Sequence, residues 1–313
     1  MTSIEVHQLT KTYGGQRAVN NLHFRVEPGK VTGFLGPNGA GKSTTLRLLL
    51  GIDRPTGGTA TIGGRAYATL DAPLRQVGAL LDARSAHGSR TARDHLAILA
   101  TSNGIATSRV DTVLEETGLL AVGAKRIKSF SLGMRQRLGI AAALLGDPAV
   151  ILLDEPANGL DPEGIIWVRT LLRRLASERR TVLVSSHLMN ETASYADHLV
   201  VLGKGKLLAD MPMGEFLDRH TRPRVSLRSA EAGRLHDLLT GRGHQPELRG
   251  EDGLSVDGVR AEEVGRMAGG AGIVLLELRD EQASLEEAYL ELTATAGEYT
   301  SLSNPRPDRR PGA

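Results

Sequence analysis

Gly36-Pro37-Asn38-Gly39-Ala40-Gly41-Lys42-Ser43 has the residue types and spacing to hold phosphate. Glycines let the backbone wrap an anion with its N–H groups, and the N-terminus of a following helix adds a favourable dipole. Lys42 has the reach for β- and γ-phosphates, and the Ser43 hydroxyl suits a magnesium ion. The plainer reading is a glycine turn before a helix. The apolar run Val31–Leu35 ahead of the loop and the helical pattern Thr44–Leu50 behind it, closed by Gly51, favour phosphate.

Asp154-Glu155 follows the apolar run Val150–Leu153. A carboxylate pair at the C-terminal end of a parallel strand would lie beside the glycine loop. Asp154 could then hold magnesium through water, and Glu155 could polarise an attacking water as general base. Alone, such a pair is as often a solvated strand end. Ser131-Leu132-Gly133-Met134 leads into a helix from Arg135 and offers a hydroxyl, a glycine N–H and a helix N-terminus. Alone it is a helix N-cap. With one phosphate loop already present, a second device makes sense if it serves the γ-phosphate of another subunit.

The elements that must position these groups follow from periodicity. Ile4–Leu9 and Leu22–Val26 alternate as strands about a Gly14-Gly15 turn, and Thr59–Ile62 is a further short strand. Residues 91–145 read as helices, including Val110–Thr117 and Arg135–Leu145. Val150–Leu153 and Thr181–Ser185 are wholly apolar or nearly so, as buried parallel strands are, and Ile165–Leu175 between them is the helix of a βαβ unit. His198–Leu202 and Lys206–Asp210 flank a turn at Gly203-Lys204-Gly205. Composition shifts at His220-Thr221-Arg222-Pro223. Beyond it Arg224–Leu227, Glu231–Leu239, Pro246–Arg249, Gly253–Val256, Ala261–Met267 and Ile273–Leu278 run βαββαβ, followed by a helix at Leu285–Leu292. The expectation is an α/β nucleotide-binding domain over 1–220, a small ferredoxin-like α+β domain over 221–300 and a disordered Pro/Arg-rich tail over 301–313.

Composition narrows the classes. The 313 residues are 40% apolar and only 3% aromatic, so the core is aliphatic. Lys+Arg (38) nearly balances Asp+Glu (36), which gives no electrostatic argument for nucleic acid. The absence of cysteine excludes disulfides, cysteine–zinc sites and thiol nucleophiles, and fits a reducing cytosol. Met1-Thr2-Ser3-Ile4-Glu5 has the form of no secretory signal, and no apolar run is long enough to span a bilayer. If the protein works at a membrane, another chain must supply the pore.

Taken together and in this order, the motifs resemble those of ABC transporter ATP-binding subunits, over roughly residues 4–220. The loop Gly36–Ser43, with Thr44 after it, resembles the Walker A motif, and Val150–Glu155 resembles Walker B. Phe130-Ser131-Leu132-Gly133-Met134 resembles the signature Leu-Ser-Gly-Gly-Gln, although Leu132 and Met134 depart from it. Gly159-Leu160-Asp161 resembles the D-loop, His187 the switch histidine, and Tyr13 occupies the place of the adenine-stacking aromatic. The Q-loop glutamine falls on Asp82, a shorter and charged side chain that could reach magnesium through water or face a membrane partner. Read singly, Tyr13 would be packing, His187 a polar strand end and Gly159–Asp161 a turn. Ser-Leu-Gly-Met-Arg-Gln-Arg (131–137), Ala157–Pro162 and Leu285–Leu290 are similar to bacterial drug-resistance exporters of the ABC-2 type, including bacitracin and daunorubicin exporters.

The resemblance implies ATP and Mg2+ as ligands and hydrolysis with Lys42, Glu155 and His187 in catalytic roles. It further implies two copies joined head to tail, with Ser131, Gly133 and Asp161 of one facing the nucleotide of the other. It places the protein peripherally on the cytoplasmic face of the plasma membrane, bound to separate transmembrane permease subunits, with no nucleic acid expected. The competing readings are a non-transport ABC ATPase acting on nucleic acid or the ribosome, and a pore-free regulatory or self-resistance ATPase. DNA-repair types carry a long coiled coil between the motifs, and no heptad stretch here forms one.

Overall fold

The computed structural model describes residues 2–220, 223–282 and 285–294. The linker residues Thr221 and Arg222 and the tail at 301–313 lie outside them. Strands β1 (Ile4–Tyr13), β2 (Gln16–Val26), β3 (Val31–Leu35) and β4 (Gly57–Ile62) open the chain, with helix α1 (Lys42–Leu49) between β3 and β4. Helix α2 (Pro73–Gln76) leads into β5 (Val77–Leu80). The helical stretch comprises α3 (Ala92–Ser102), α4 (Ser108–Glu116) and α5 (Leu132–Leu144). Then follow β6 (Val150–Asp154), α6 (Pro162–Ser177), β7 (Thr181–Ser186), α7 (Met189–Ala193), β8 (His198–Gly203), β9 (Lys206–Pro212) and α8 (Met213–His220).

The central sheet has the order β5-β6-β7-β3-β8-β9, with β9 antiparallel to β8 and the other pairings parallel. Its inner strands β6, β7, β3 and β8 are buried nearly throughout because both faces are covered. Alternate residues divide between two cores. Ile151, Leu153, Val182 and Val184 point to one core, against α3–α6. Val150, Leu152, Leu183 and Phe34 point to the other, beneath the antiparallel sheet β2-β1-β4 and α1. A one-residue slip of any central strand would exchange its faces between the two cores, so register is strongly held.

Helix starts follow local chemistry. The hydroxyl of Thr91 accepts from Asp94 N (3.0 Å) at α3, Ser131 Oγ from Met134 N (3.2 Å) at α5, and Asp161 Oδ1 from Gly164 N (2.8 Å) at α6. Each cap satisfies one of the N–H groups that a helix start leaves open. α6 runs longer than the apolar pattern indicated because Asp161-Pro162 starts it a turn earlier.

The C-terminal elements are β10 (Pro223–Arg228), α9 (Ala232–Gly241), β11 (Pro246–Arg249), β12 (Gly253–Asp257), α10 (Ala261–Gly270), β13 (Glu277–Gln282) and α11 (Leu285–Ala294). The antiparallel order β11-β12-β10-β13, with α9 and α10 on one face, is ferredoxin-like. One boundary differs from the sequence expectation. The apolar run Ile273–Leu278 is not the last strand; β13 begins at Glu277 and is charged. Ile273 and Leu275 instead pack into the core beneath the small sheet. β13 is an edge strand, so only every second residue needs an apolar neighbour, and charge on the edge discourages further pairing.

Candidate active site

The ends of three neighbouring strands converge. β3 runs into the glycine loop, β6 ends at Asp154, and β7, which lies between them, ends at Ser186 and leads to His187. This is the carboxyl edge of a parallel sheet, where such folds place ligands. A cleft of about 770 Å³ lies there, lined by Pro37–Thr44 of the loop, by Asp154 and Glu155, and by Tyr13. Its size and polar floor suit a nucleoside triphosphate.

The loop conformation has a steric cause. Gly41 has φ +103°, and a Cβ there would stand 2.5 Å from the Ala18 carbonyl oxygen of β2. Only glycine meets both demands. Lys42 is 6% exposed, with its Nζ donating to the Gly36 carbonyl at 2.6 Å and lying 3.7 Å from Glu155 Oε1. Burial lowers its pKa, and the charges of Glu155 and Asp154 oppose that shift. Without those carboxylates a buried ammonium would be costly.

Glu155 is held by its backbone. Its φ is +49°, unusual for a residue with a side chain. Glu155 N donates to Ser185 Oγ (3.0 Å), and Glu155 O accepts from the buried Gln136 Nε2 (2.7 Å) and from Asn158 N (3.2 Å). Ser185 Oγ in turn donates to Asp154 Oδ1. The Glu155 side chain is engaged at both oxygens, Oε1 standing 3.7 Å from Lys42 Nζ and Oε2 hydrogen-bonded to His187 Nδ1 at 2.8 Å. An oriented carboxylate bonded to an imidazole, beside a lysine and a phosphate loop, is equipped to direct a water at a phosphoryl group.

Tyr13 projects from the end of β1 and is 46% exposed. Its hydroxyl donates to Asp53 Oδ2 (2.7 Å), which also accepts from Arg47 Nε (2.8 Å), and Lys11 Nζ stands 4.8 Å from the ring centroid. Hydrogen bonds from Arg47 and Tyr13 hold the Asp53 carboxyl down at about 2. The ring is therefore fixed from outside the cleft it lines. Asp53, Gln136, Ser185 and the cleft-lining Gln16, Arg17, Ala18 and Lys204 were not singled out from sequence. Only Lys204, a cation in a two-glycine turn, carried a readable signal.

Asp82 and the signature residues lie elsewhere. Asp82 is exposed, its Oδ1 accepting from Arg84 N at 2.8 Å; its neighbour Leu81 lines the cleft and Asp82 does not. Ser131, Gly133 and Asp161 are also absent from the cleft lining, and the side-chain oxygens of Ser131 and Asp161 cap helices of their own chain. They do form one surface. A Cβ on Gly159 (φ +76°) would meet Leu132 Cδ2 at 2.2 Å, and one on Gly133 would meet Leu160 Cδ2 at 3.2 Å. Leu132, where the family motif has glycine, is thus accommodated by a glycine across from it.

Oxygen donors suited to a hard cation are present. Ser43 and Asp154 line the cleft together. Among the described residues no three His, Cys, Asp or Glu side chains gather to cage a metal. That donor set fits a magnesium ion that takes its remaining ligands from phosphate and water. No helix of the described residues is long and apolar enough to cross a membrane.

Comparison with known proteins agrees with this geometry. Residues 19–158 match the family model described as ABC transporter, and residues 223–286 match one described as a domain of unknown function. The chain is 43% identical over 222 residues to the bacitracin transport ATP-binding protein BcrA of Bacillus licheniformis, covering 70% of this chain and 72% of the relative. It is 32% identical over 300 residues to the BcrA protein of Enterococcus faecalis, covering 94% and 97%. A solved ATP-binding subunit of an ABC transporter superposes with TM-score 0.63 at 27% identity, over 69% of this chain and 92% of that one. A dimeric bacterial ABC transporter cassette superposes with TM-score 0.62 at 25% identity, over 67% and 98%. With these relatives and the convergent strand ends, the chain belongs to the ABC transporter ATP-binding family, and it is an ATPase.

Proposed function

We propose that the chain is the ATP-hydrolysing subunit of an ABC-2 type exporter of drugs or antibiotics, acting through separate membrane subunits. The observation that carries the reading is the Lys42–Glu155–His187 chain of contacts at the edge of a nucleotide-sized cleft. The export role is supported by the names of the relatives, bacitracin transport ATP-binding proteins, one of which matches over nearly the whole chain.

In this reading the loop N–H groups and Lys42 bind the phosphates, and Tyr13 stacks on adenine. Ser43 and Asp154 hold magnesium, which when bound neutralises charge on the phosphoryl group. Asp82 is a further candidate toward magnesium or toward the membrane partner. Glu155 takes the proton of the attacking water, and His187 holds the γ-phosphate. A second copy faces the cleft with its Ser131, Gly133 and Asp161. The exposure of Ser131 and Asp161, with half-buried Gly133 beside them, outside their own cleft supports this, as does the dimeric cassette among the structural neighbours. Closure of the dimer pulls on membrane subunits at the cytoplasmic face, and hydrolysis reopens it. The units are 1–220 for the cassette and 221–300 for an accessory domain.

The test is to purify the full chain from membranes under mild detergent. Recovery of a multi-span membrane protein, with ATPase activity stimulated by candidate antibiotics, is the expected result. Recovery of nucleic acid or ribosomes in its place would refute it.

A further inference from the structure

Lys204 lines the nucleotide cleft from outside the phosphate loop. It belongs to the two-residue turn Lys204-Gly205 that joins β8 to β9 between the paired residues Gly203 and Lys206. Both turn residues have positive φ, +46° at Lys204 and +74° at Gly205. Hairpin turns of this kind favour Asn-Gly or Gly-Gly. Lysine meets the steric cost of left-handed backbone and lacks the short polar side chain with which asparagine offsets it. A residue held in so unfavourable a conformation calls for a use of its side chain.

The turn is fixed against the cleft. Gly205 N donates to the Ala40 carbonyl of the phosphate loop at 3.0 Å, and Asn20 N of β2 donates to the Gly205 carbonyl at 2.8 Å. A Cβ on Gly205 would stand 2.7 Å from the Ala18 carbonyl oxygen, and one on Gly41 would stand 3.6 Å from Gly205 Cα. The Lys204 side chain is exposed, and among the described residues its ammonium has no hydrogen-bond or ion-pair partner. Arg17, the other cation at this rim, already donates to Asn20 Oδ1 at 3.3 Å.

Charge and position give the free ammonium a task. Lys42 shares the cleft with two carboxylates, Asp154 and Glu155. Arg17 brings the charged lining only to neutrality, and Lys204 makes it positive, as a polyanionic ligand requires. The turn abuts Gly41 of the phosphate loop on one side and Ala18 on the other, and Ala18 stands two residues from Gln16, the partner of Tyr13. It therefore spans the stretch between the Tyr13 ring and Lys42. In a nucleotide whose base lies on Tyr13 and whose β- and γ-phosphates meet Lys42, that stretch holds the ribose and the α-phosphate, and only the α-phosphate is charged.

We propose that Lys204 is a nucleotide-binding residue, its ammonium pairing with the α-phosphate, so that it serves ATP and ADP alike. This rests on the reading of the cleft as the nucleotide site.

Lys204→Gly in the full chain removes the cation and accepts φ +46° without strain. Calorimetric titration at low salt with ADP and with a non-hydrolysable ATP analogue should show both affinities falling by the same factor, about three- to tenfold, as for one partly exposed charge-assisted hydrogen bond. The deficit should shrink at high salt, where exposed charges are screened. Lys204→Arg keeps the charge and should restore most of the affinity. The nucleotide-free melting temperature should not fall in either variant. Unchanged affinities, a loss confined to the ATP analogue, a loss that Lys204→Arg does not repair or a lowered melting temperature overturns the proposal. A wild-type chain that binds neither nucleotide overturns the reading of the cleft itself.

Discussion

Replacing Gln136 by Leu tests whether the unusual backbone of Glu155 is held for catalysis. The side chain is 5% exposed and donates 2.7 Å to the Glu155 carbonyl. Leucine has similar bulk and no donor, so packing is largely kept. The carbonyl retains Asn158 N at 3.2 Å, so it is weakened rather than orphaned. The stability cost is that of one hydrogen bond, about 1 kcal/mol, and a chain of this size should melt roughly 2–4 °C lower. The effect on activity should be larger. A residue at φ +49° costs about 1–3 kcal/mol and persists only while its surroundings insist. With one restraint gone, Glu155 can relax and move its carboxylate, and a shift of about 1 Å can cost on the order of a hundredfold in rate. Calorimetry and steady-state ATPase assays on one preparation give both numbers. A chain that melts lower yet keeps wild-type kcat would refute the reasoning and leave Gln136 as core packing.

Glu155→Gln should bind ATP, stall hydrolysis and accumulate as a nucleotide-bound dimer in size-exclusion chromatography; turnover at the wild-type rate removes Glu155 as base. Tyr13→Ala and Asp53→Asn should both weaken ATP binding, the second by freeing the ring, as read by equilibrium titration. Because the Asp53 carboxyl is depressed from 3.8 to about 2 in the folded chain, its stabilisation is full above the unfolded value and lost as pH falls toward 2. Asp53→Asn should therefore flatten the acid limb of the stability curve between those values, and an unchanged limb would count against the Tyr13–Asp53–Arg47 arrangement. Gly159→Ala should lower ATPase activity through its clash with Leu132, and Leu132→Ala should restore part of the loss; additive losses would show that the two do not interlock.

The parts legible in the sequence were those with dense local chemistry. The glycine loop, the cap at Ser131 and the apolar strand Val150–Leu153 each announce a conformation within a few residues. The βαββαβ order of the small domain was readable because its turns and periods alternate cleanly, although β13 was misplaced where apolar residues served a helix core and the edge strand was charged. The supports of the site were not readable. Gln136 reaches Glu155 across 19 positions, Ser185 across 30 and Asp53 reaches Tyr13 across 40. Each is an ordinary polar residue on its own element, and only the sheet order brings it near. Leu132 looked like a defect in the signature until its contact with Gly159 supplied the compensation.

The docking of α11 has a mechanical consequence. The chain leaves the cassette after α8, builds the small sheet, and returns to the cassette as α11. The sheet is therefore anchored at two points rather than hung on one linker. A body on a single flexible tether rotates about three axes; one pinned at two points keeps essentially one, the line through the pins. Any swing of the small domain is thereby converted into torque on α7 and α8, and α7 begins two residues after the switch histidine.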